Sequence, residues 1–388
     1  MGYDYALMHI GSNIPWAVGI TAISWPFLTR LDWWKLLSII CIAVGAAIPW
    51  DSYLIRTGVW MFPPSSVLGY KFLSIPLEEV FFFAIQTYNT GMLYILLTRH
   101  LVFPSFVQPV SMRNRVLGII ALGAPVIMGL VCIWLGGKYT YVGTMIAWAF
   151  SFLLIQWLLA AGFILALPRR ELLLSVMVPT LFLWAVDTLA LDNKTWIIDD
   201  DFKLGWQLWR RLDIEEAMFW ILSNALIVFG LAVTDFAIAL THGHLAKSPG
   251  SIEAIPSYSQ VLRNFFCFSH KLDATFVTSL RKSVNRVAAA SQSMYMGCAM
   301  FEGPLLIDLI FLYSFCRIAD DLVDNAIDSQ QALDIIDCCA AELEARFTTK
   351  SSYHVQENTK YPELIEAITN LPATRLHIEP LLKLLEGF

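Results

Sequence analysis

The chain has 388 residues, 57% of them hydrophobic and 15% charged, with a formal net charge of −6 and a mean hydropathy of +0.60. Soluble domains carry about 25% charged residues, so the composition argues against a wholly soluble protein. The lack of any basic cluster argues against nucleic acid as a partner.

The apolar residues are unevenly spread. Up to about residue 242 the chain is a series of long apolar stretches, and beyond about 246 it reads as a soluble helical protein. The polar stretch THGHLAKSPGS marks a domain boundary, with a membrane domain over 1–242, a linker over 243–259 and a helical domain over 260–388. The opening MGYDYALMHI lacks the basic start of a cleavable signal, so the first apolar stretch is expected to remain as a span. Runs of roughly 18 or more apolar residues are candidates for transmembrane helices. Seven occur, near 9–29, 33–50, 72–98, 116–137, 140–166, 172–191 and 208–240. An odd number puts the termini on opposite sides. Arg30, Lys35, Arg99, Arg113, Arg115, Arg169, Arg170 and Lys247 gather on one side, while Asp199, Asp200 and Asp201 lie on the other. The positive-inside bias then places the N-terminus outside and the C-terminal domain in the cytosol. Seven cysteines without CxxC spacing or metal-type pairing with His read as buried or reduced thiols.

The spans contain a repeat. Asp51, Trp60 and Gly69 are followed by Glu78, Glu79 and Phe82; Asp187, Trp196 and Gly205 are followed by Glu215, Glu216 and Phe219. The first three pairs are 136 residues apart and the last three 137, so one inserted residue reconciles them. Spans one to three (about 1–98) then map onto spans five to seven (about 140–240), with span four as connector. The two copies share one orientation and are related by an axis along the membrane normal. They bring PLEEVFFF and DIEEAMFW to a shared central cavity.

A bland reading exists for each diglutamate. Asp213 with Glu216 resembles a capping box, Pro76 suits a first helical turn, and acids near a helix N-terminus complement its dipole. Against it, acidic residues within membrane segments are rare and mark function, and here the element occurs twice at matched positions. Desolvation disfavours the charged form of a carboxyl group, so one such group serves as general acid while a better-solvated neighbour serves as base. Phe82 and Phe219, one turn after Glu78 and Glu215, offer ring faces to a developing cation. Acid, base and aromatic walls suit proton-initiated rearrangement of a hydrophobic polyene. No GxGxxG or P-loop suggests redox or nucleotide chemistry.

Residues 1–242, through PLEEVFFF, DIEEAMFW and IPWDSYLIRTGVW, resemble the membrane-embedded lycopene cyclases, which in fungi are fused to a phytoene synthase. The resemblance implies non-redox closure of the ends of lycopene, or of neurosporene- or torulene-type precursors, to β-ionone rings without a cofactor. It makes Glu78, Glu79, Glu215 and Glu216 the catalytic candidates. Phe82, Phe219, Asp51, Asp187, Trp60 and Trp196 are the substrate-binding candidates.

Residues 291–325, ending in LYSFCRIADDLVDN, resemble the first aspartate-rich helix of squalene and phytoene synthases. Asp320 and Asp324, four apart, share a helix face with Asp321 beside them, and clustered carboxylates suit Mg²⁺ bridging to a diphosphate. An acidic pair at this spacing is ordinarily just a solvated face; the surrounding motif is what lends it meaning. Arg317 is a candidate diphosphate contact, or half of a surface ion pair. The family implies geranylgeranyl diphosphate as substrate and a second aspartate-rich element on a facing helix. No second DxxxD in synthase-like context follows Asp324 through LLKLLEGF, residues 381–388. The expectation is an incomplete all-α synthase-like domain that does not condense geranylgeranyl diphosphate by itself. The expected fold class is all-α: a seven-span bundle of two parallel three-helix repeats plus a linker helix, then this incomplete bundle. An internal membrane such as the endoplasmic reticulum is the expected home, and exposed helices leave room for a homo-oligomer.

Two rivals share some of these features. A retinal protein needs a lysine within the last span, and 208–240 has none. A transporter also uses repeats and paired intramembrane acids, but gives no reason for the synthase-like segment.

Overall fold

The computed structural model describes residues 2–247, 257–266, 272–349 and 360–387. The described chain is helical with short two- or three-residue strands, the all-α class expected. It forms two compact units, Met1–Arg99 with Pro109–Asp235, and His100–Gln108 with Phe236–Phe388.

Seven helices are long and apolar enough to cross a membrane: Asp4–Phe27, Arg30–Arg56, Leu77–Thr98, Met112–Leu135, Gly137–Ala166, Arg169–Asp192 and Ile214–Lys247. They are called the first to seventh spans below. The seventh runs unbroken through Lys247, so the expected linker does not begin at 243; nothing before Pro249 in THGHLAKSPGS forces a helix to stop. Residues 248–256 of that linker, and 350–359 of the polar stretch 348–360, lie outside the described residues, and the helix Tyr258–Phe266 already begins within the linker's expected end at 259.

The third and seventh spans start later than their apolar runs suggest. The residues before them form β-hairpins, Lys71–Phe72 with Ile75–Pro76 and Gln207–Trp209 with Leu212–Asp213. Their turns hold Leu73, Ser74 and Arg210 at φ of 49°, 78° and 43°, a region closed to helix. Lys71 pairs with Pro76 but Gln207 with Asp213, and the second hairpin has a register shift between Gln207 and Trp209. The inserted residue inferred from the repeat is therefore a bulge.

A further strand pair joins the two copies. Trp60–Met61 runs antiparallel to Ile197–Ile198, with Met61 opposite Ile197. Those two residues are 136 apart, so equivalent positions face each other across a local twofold. The fourth span, the connector, lies against the fifth. A Cβ on Gly129 would come within 2.6 Å of Ala147 N, so the two backbones touch there.

Lys35 is not a headgroup-facing cation. Its Nζ is buried 3.2 Å from Asp32 and 3.1 Å from Asp235, Arg99 Nη1 is 3.0 Å from Asp32, and Tyr94 OH donates to Asp235 at 2.8 Å. Acids inside spans need such partners. Lys35 and Arg99 thus serve the interior, and the side of the membrane is signalled by fewer cations than the sequence offers.

In the second unit Gly303–Asp324 carries two apolar faces. Phe315, Ile318 and Ala319 meet Leu343, Leu364 and Ile368, whereas Ile307, Ile310 and Phe311 meet Leu280, Val284 and Val287. All six described cysteines are free, in keeping with the buried or reduced thiols expected; Cys41 is exposed.

Candidate active site

Adjacent residues on a helix point about 100° apart, and this separates the members of each diglutamate. Glu78 reaches back to the loop before its hairpin, where its Oε1 accepts from Leu68 N at 2.6 Å. Glu215 does the same with Leu204 N, also at 2.6 Å. Glu79 instead accepts from the Tyr5 hydroxyl, and Glu216 from the Tyr141 hydroxyl at 2.6 Å. All four glutamates are buried, the most accessible being 5% exposed.

All four stand in the first turn of their helices, where an acid complements the dipole, but side-chain capping does not describe them. The third span has no side-chain cap at Pro76. Asp213 accepts from Lys203 Nζ at 2.9 Å and Gln207 Nε2 at 3.4 Å, not from a helical N–H. Burial opposes the Lys203 charge, but Asp213 and Asp200 outweigh it and hold the ammonium above the usual lysine range.

Asp51 and Asp187 stand behind the glutamates at 0% and 1% exposure. Asp187 Oδ2 accepts from Trp220 Nε1 at 3.1 Å. Neither oxygen of Asp51 has a hydrogen-bond partner among the described residues. The repeat explains the difference: Trp220 is matched by Phe83, which has no N–H to give. Glu79 lies close enough to Asp51, Asp187 and Glu216, and Glu216 to Asp187, for their charges to interact through the interior.

Aromatic rings surround this acidic centre. Trp50 stacks on Phe219 at 5.5 Å and on Trp148 at 5.1 Å, and Trp60 sets its edge 5.8 Å from both Tyr141 and Phe219. Around the other dyad, Tyr5 meets Trp196 at 5.3 Å, while Phe82 lies on His9 at 5.9 Å. The expected site residues of both repeats are thus gathered in one cluster. A half-open cavity of about 90 Å³ runs between the second, third, fifth and seventh spans, walled by Trp50, Phe83, Trp148 and Phe219, with Gln86 and Ser223 as polar points. Ile42 at its mouth is 63% exposed on the outside of the bundle, the surface that lipid would cover.

Sequence reasoning did not single out Tyr5, Tyr141, Trp50, Trp148 or Trp220. The tyrosines were within reach, because they obey the same 136-residue offset. Trp50 and Trp220 stand inside the quoted motifs IPWDSYLIRTGVW and DIEEAMFW but have no tryptophan counterpart in the other repeat, and Trp148 lies outside both motifs.

In the second unit Arg317 binds its own helix, with 2.9 Å to Asp320 and 2.5 Å to Asp321. Among the described residues no three His, Cys, Asp or Glu side chains converge to hold a metal. With two of its acids tied to Arg317, the Asp320, Asp321 and Asp324 face does not fit Mg²⁺ as it stands.

Residues 287–388 match the squalene/phytoene synthase family. The bifunctional lycopene cyclase/phytoene synthase of Aspergillus oryzae is 48% identical over 394 residues, covering all of this chain and 67% of the relative. The proteins of that name from Pyrenophora tritici-repentis and Arthroderma gypseum are 44% and 42% identical, again over all of this chain and over 68% and 69% of their own lengths. No solved structure matches. With identity of this order running through both units and the diglutamates repeated at matched places, the chain belongs to the family of bifunctional lycopene cyclase/phytoene synthases.

Proposed function

We propose that the membrane unit closes the linear ends of lycopene, or of neurosporene- or torulene-type precursors, into β-ionone rings. The observation that carries this is the pair of buried tyrosine–glutamate dyads beside an aromatic cavity opening to the outside of the spans. A carboxylic acid delivers a proton to the terminal carbon–carbon double bond and leaves a tertiary cation. The internal double bond attacks that cation, forming the six-membered ring and moving the charge into it. A carboxylate then removes a ring C–H proton and leaves the ring double bond. The product is an isomer of the substrate, so no oxidant or reductant is required. Glu79 and Glu216 are the proton-handling groups, Tyr5 and Tyr141 fix their orientation, and the faces of Trp50 and Phe219 stabilise the cation. Excluding water from the site keeps the cation from being captured.

The second unit carries the synthase-like helix. Condensation of two geranylgeranyl diphosphates to phytoene is the reaction proposed for this part of the family's architecture. This chain spans about two thirds of the length of its relatives. Residues 1–388 alone are expected to make no phytoene from labelled geranylgeranyl diphosphate, and labelled phytoene from the purified chain would refute this. The proposed setting is an internal membrane such as the endoplasmic reticulum with the second unit in the cytosol.

The cyclase reading is tested by pigment analysis of lycopene-accumulating bacteria carrying this chain or its Glu79→Gln/Glu216→Gln double variant. The parent should convert lycopene to ring-bearing carotenes. Loss of general acid–base catalysis lowers rate by about 10²–10⁴-fold, so the double variant should leave lycopene. Rings formed equally well by the double variant would remove both glutamates from the chemistry.

A further inference from the structure

The twofold relation of the repeats raises the question of whether one site or two does the work. We propose that the two half-sites are not equivalent. A polyene end is seated only on the Tyr141–Glu216 side, and the Tyr5–Glu79 side is filled by packed rings and seats no second end. This rests on the cyclase reading and adds to it a substrate that must enter twice to be closed at both ends.

Three observations carry it. The first is side-chain volume at matched positions. Ala43, Ala46 and Ala47 line the cavity, while the residues 136 positions on are Pro179, Phe182 and Leu183. Phe182 packs on Trp16 with ring centroids 4.6 Å apart and planes tilted by 32°, so an aromatic pair stands where the cavity side has an alanine.

The second is the aromatic wall. Trp50 and Trp148 are matched by Val186 and Ser12, so the stacked tryptophan pair exists on one side only. Trp50 also lies over Tyr141, with ring centroids 6.4 Å apart and planes 25° from parallel. The dyad tyrosine on that side is therefore directly beneath a cavity wall. Tyr5 packs instead on His9, Phe62 and Trp196, none of which lines the cavity.

The third is the chemistry behind the glutamates. Asp187 is held by Trp220, whereas Asp51, next in the chain to cavity-lining Trp50, has two unpartnered oxygens at 0% exposure. Asp187 Oδ1 is unpartnered as well, so the two acids differ by one hydrogen bond, the one from Trp220.

The test exchanges the filler between sides. In the lycopene-accumulating host, Ala46→Phe should lower formation of every ring by about 100-fold, since a blocked pocket loses positioning at both ends of the substrate. Phe182→Ala, which removes the filler on the other side, should keep parent-level ring formation. Early time points with the parent should show the one-ringed product before the two-ringed one. Folding of each variant is followed by its yield and melting profile in detergent. Phe182→Ala stands as a test even where Ala46→Phe does not fold. The proposal is overturned if folded Ala46→Phe cyclises like the parent, or if folded Phe182→Ala loses ring formation. A parent that forms no ring at all defeats the cyclase reading itself and this inference with it. A parent that forms rings with indifferent variants defeats only the inference.

Discussion

Two glutamates side by side in each motif have different work because a helix turns their side chains apart. Glu78 and Glu215 hold a loop amide, while Glu79 and Glu216 face tyrosines in the interior. Glutamine keeps a carbonyl oxygen that can accept from Leu204 N, so Glu215→Gln should melt close to the parent. Glu215→Leu leaves that amide unmet and should cost about 1–3 kcal/mol, read from melting in detergent. Equal losses for both variants would show that the carboxylate charge, not the hydrogen bond, matters there. Tyr141→Phe removes the donor to Glu216 Oε1 without changing ring packing. Turnover should fall while the apparent affinity for lycopene stays near that of the parent, because the hydroxyl orients a reacting group instead of gripping substrate. The pairing of Tyr5 with Tyr141 was legible in the 136-residue offset. Which glutamate of each pair meets them was not, since adjacent residues differ only in direction around the helix.

At the scale of an element, the hairpins before the third and seventh spans decide where each diglutamate begins its helix. Gly69 and Gly205 turn the chain into them at φ of 93° and 77°, a conformation that an L-residue enters at a cost of roughly 1–2 kcal/mol. Gly205→Ala should destabilise by about that amount and lower ring formation, because the adjoining Leu204 N–H is the one that holds Glu215. Gly45 in the second span is the contrast, with helical surroundings and nothing within 4 Å of an added Cβ. Gly45→Ala should be neutral or stabilising by about 0.5–1 kcal/mol, and a loss there would mean that this face is covered by something else. The apolar runs announced all seven spans. They placed the third and seventh starts early, since hydropathy does not distinguish an apolar hairpin such as KFLSIP from the first turns of a helix.

Across the whole membrane unit, the acidic centre near the hairpins is complemented by the Asp32, Lys35, Arg99 and Asp235 cluster at the other end of the second, third and seventh spans. Removing one partner of a buried ion pair costs about 3–5 kcal/mol, whereas replacing both with apolar groups of similar size is near neutral. Lys35→Met should therefore sharply lower the melting temperature in detergent, and adding Asp235→Leu should recover part of the loss. No recovery would show that Lys35 acts mainly through Asp32.

The sequence by itself determined the class of the molecule, its seven spans, its internal repeat and the two diglutamates. Each of these is a local or periodic property: enough apolar residues in a row to cross a bilayer, and the same residue types at a constant offset. The cavity was decided only by tertiary structure, because it depends on the difference between the repeats. Ala46 against Phe182, Trp50 against Val186 and Phe83 against Trp220 are unremarked substitutions along the chain. They acquire meaning when a twofold places each opposite its counterpart and packing density turns a missing ring into space. The same holds for Lys35, whose charge reads as a headgroup contact until Asp32 and Asp235 are found around it.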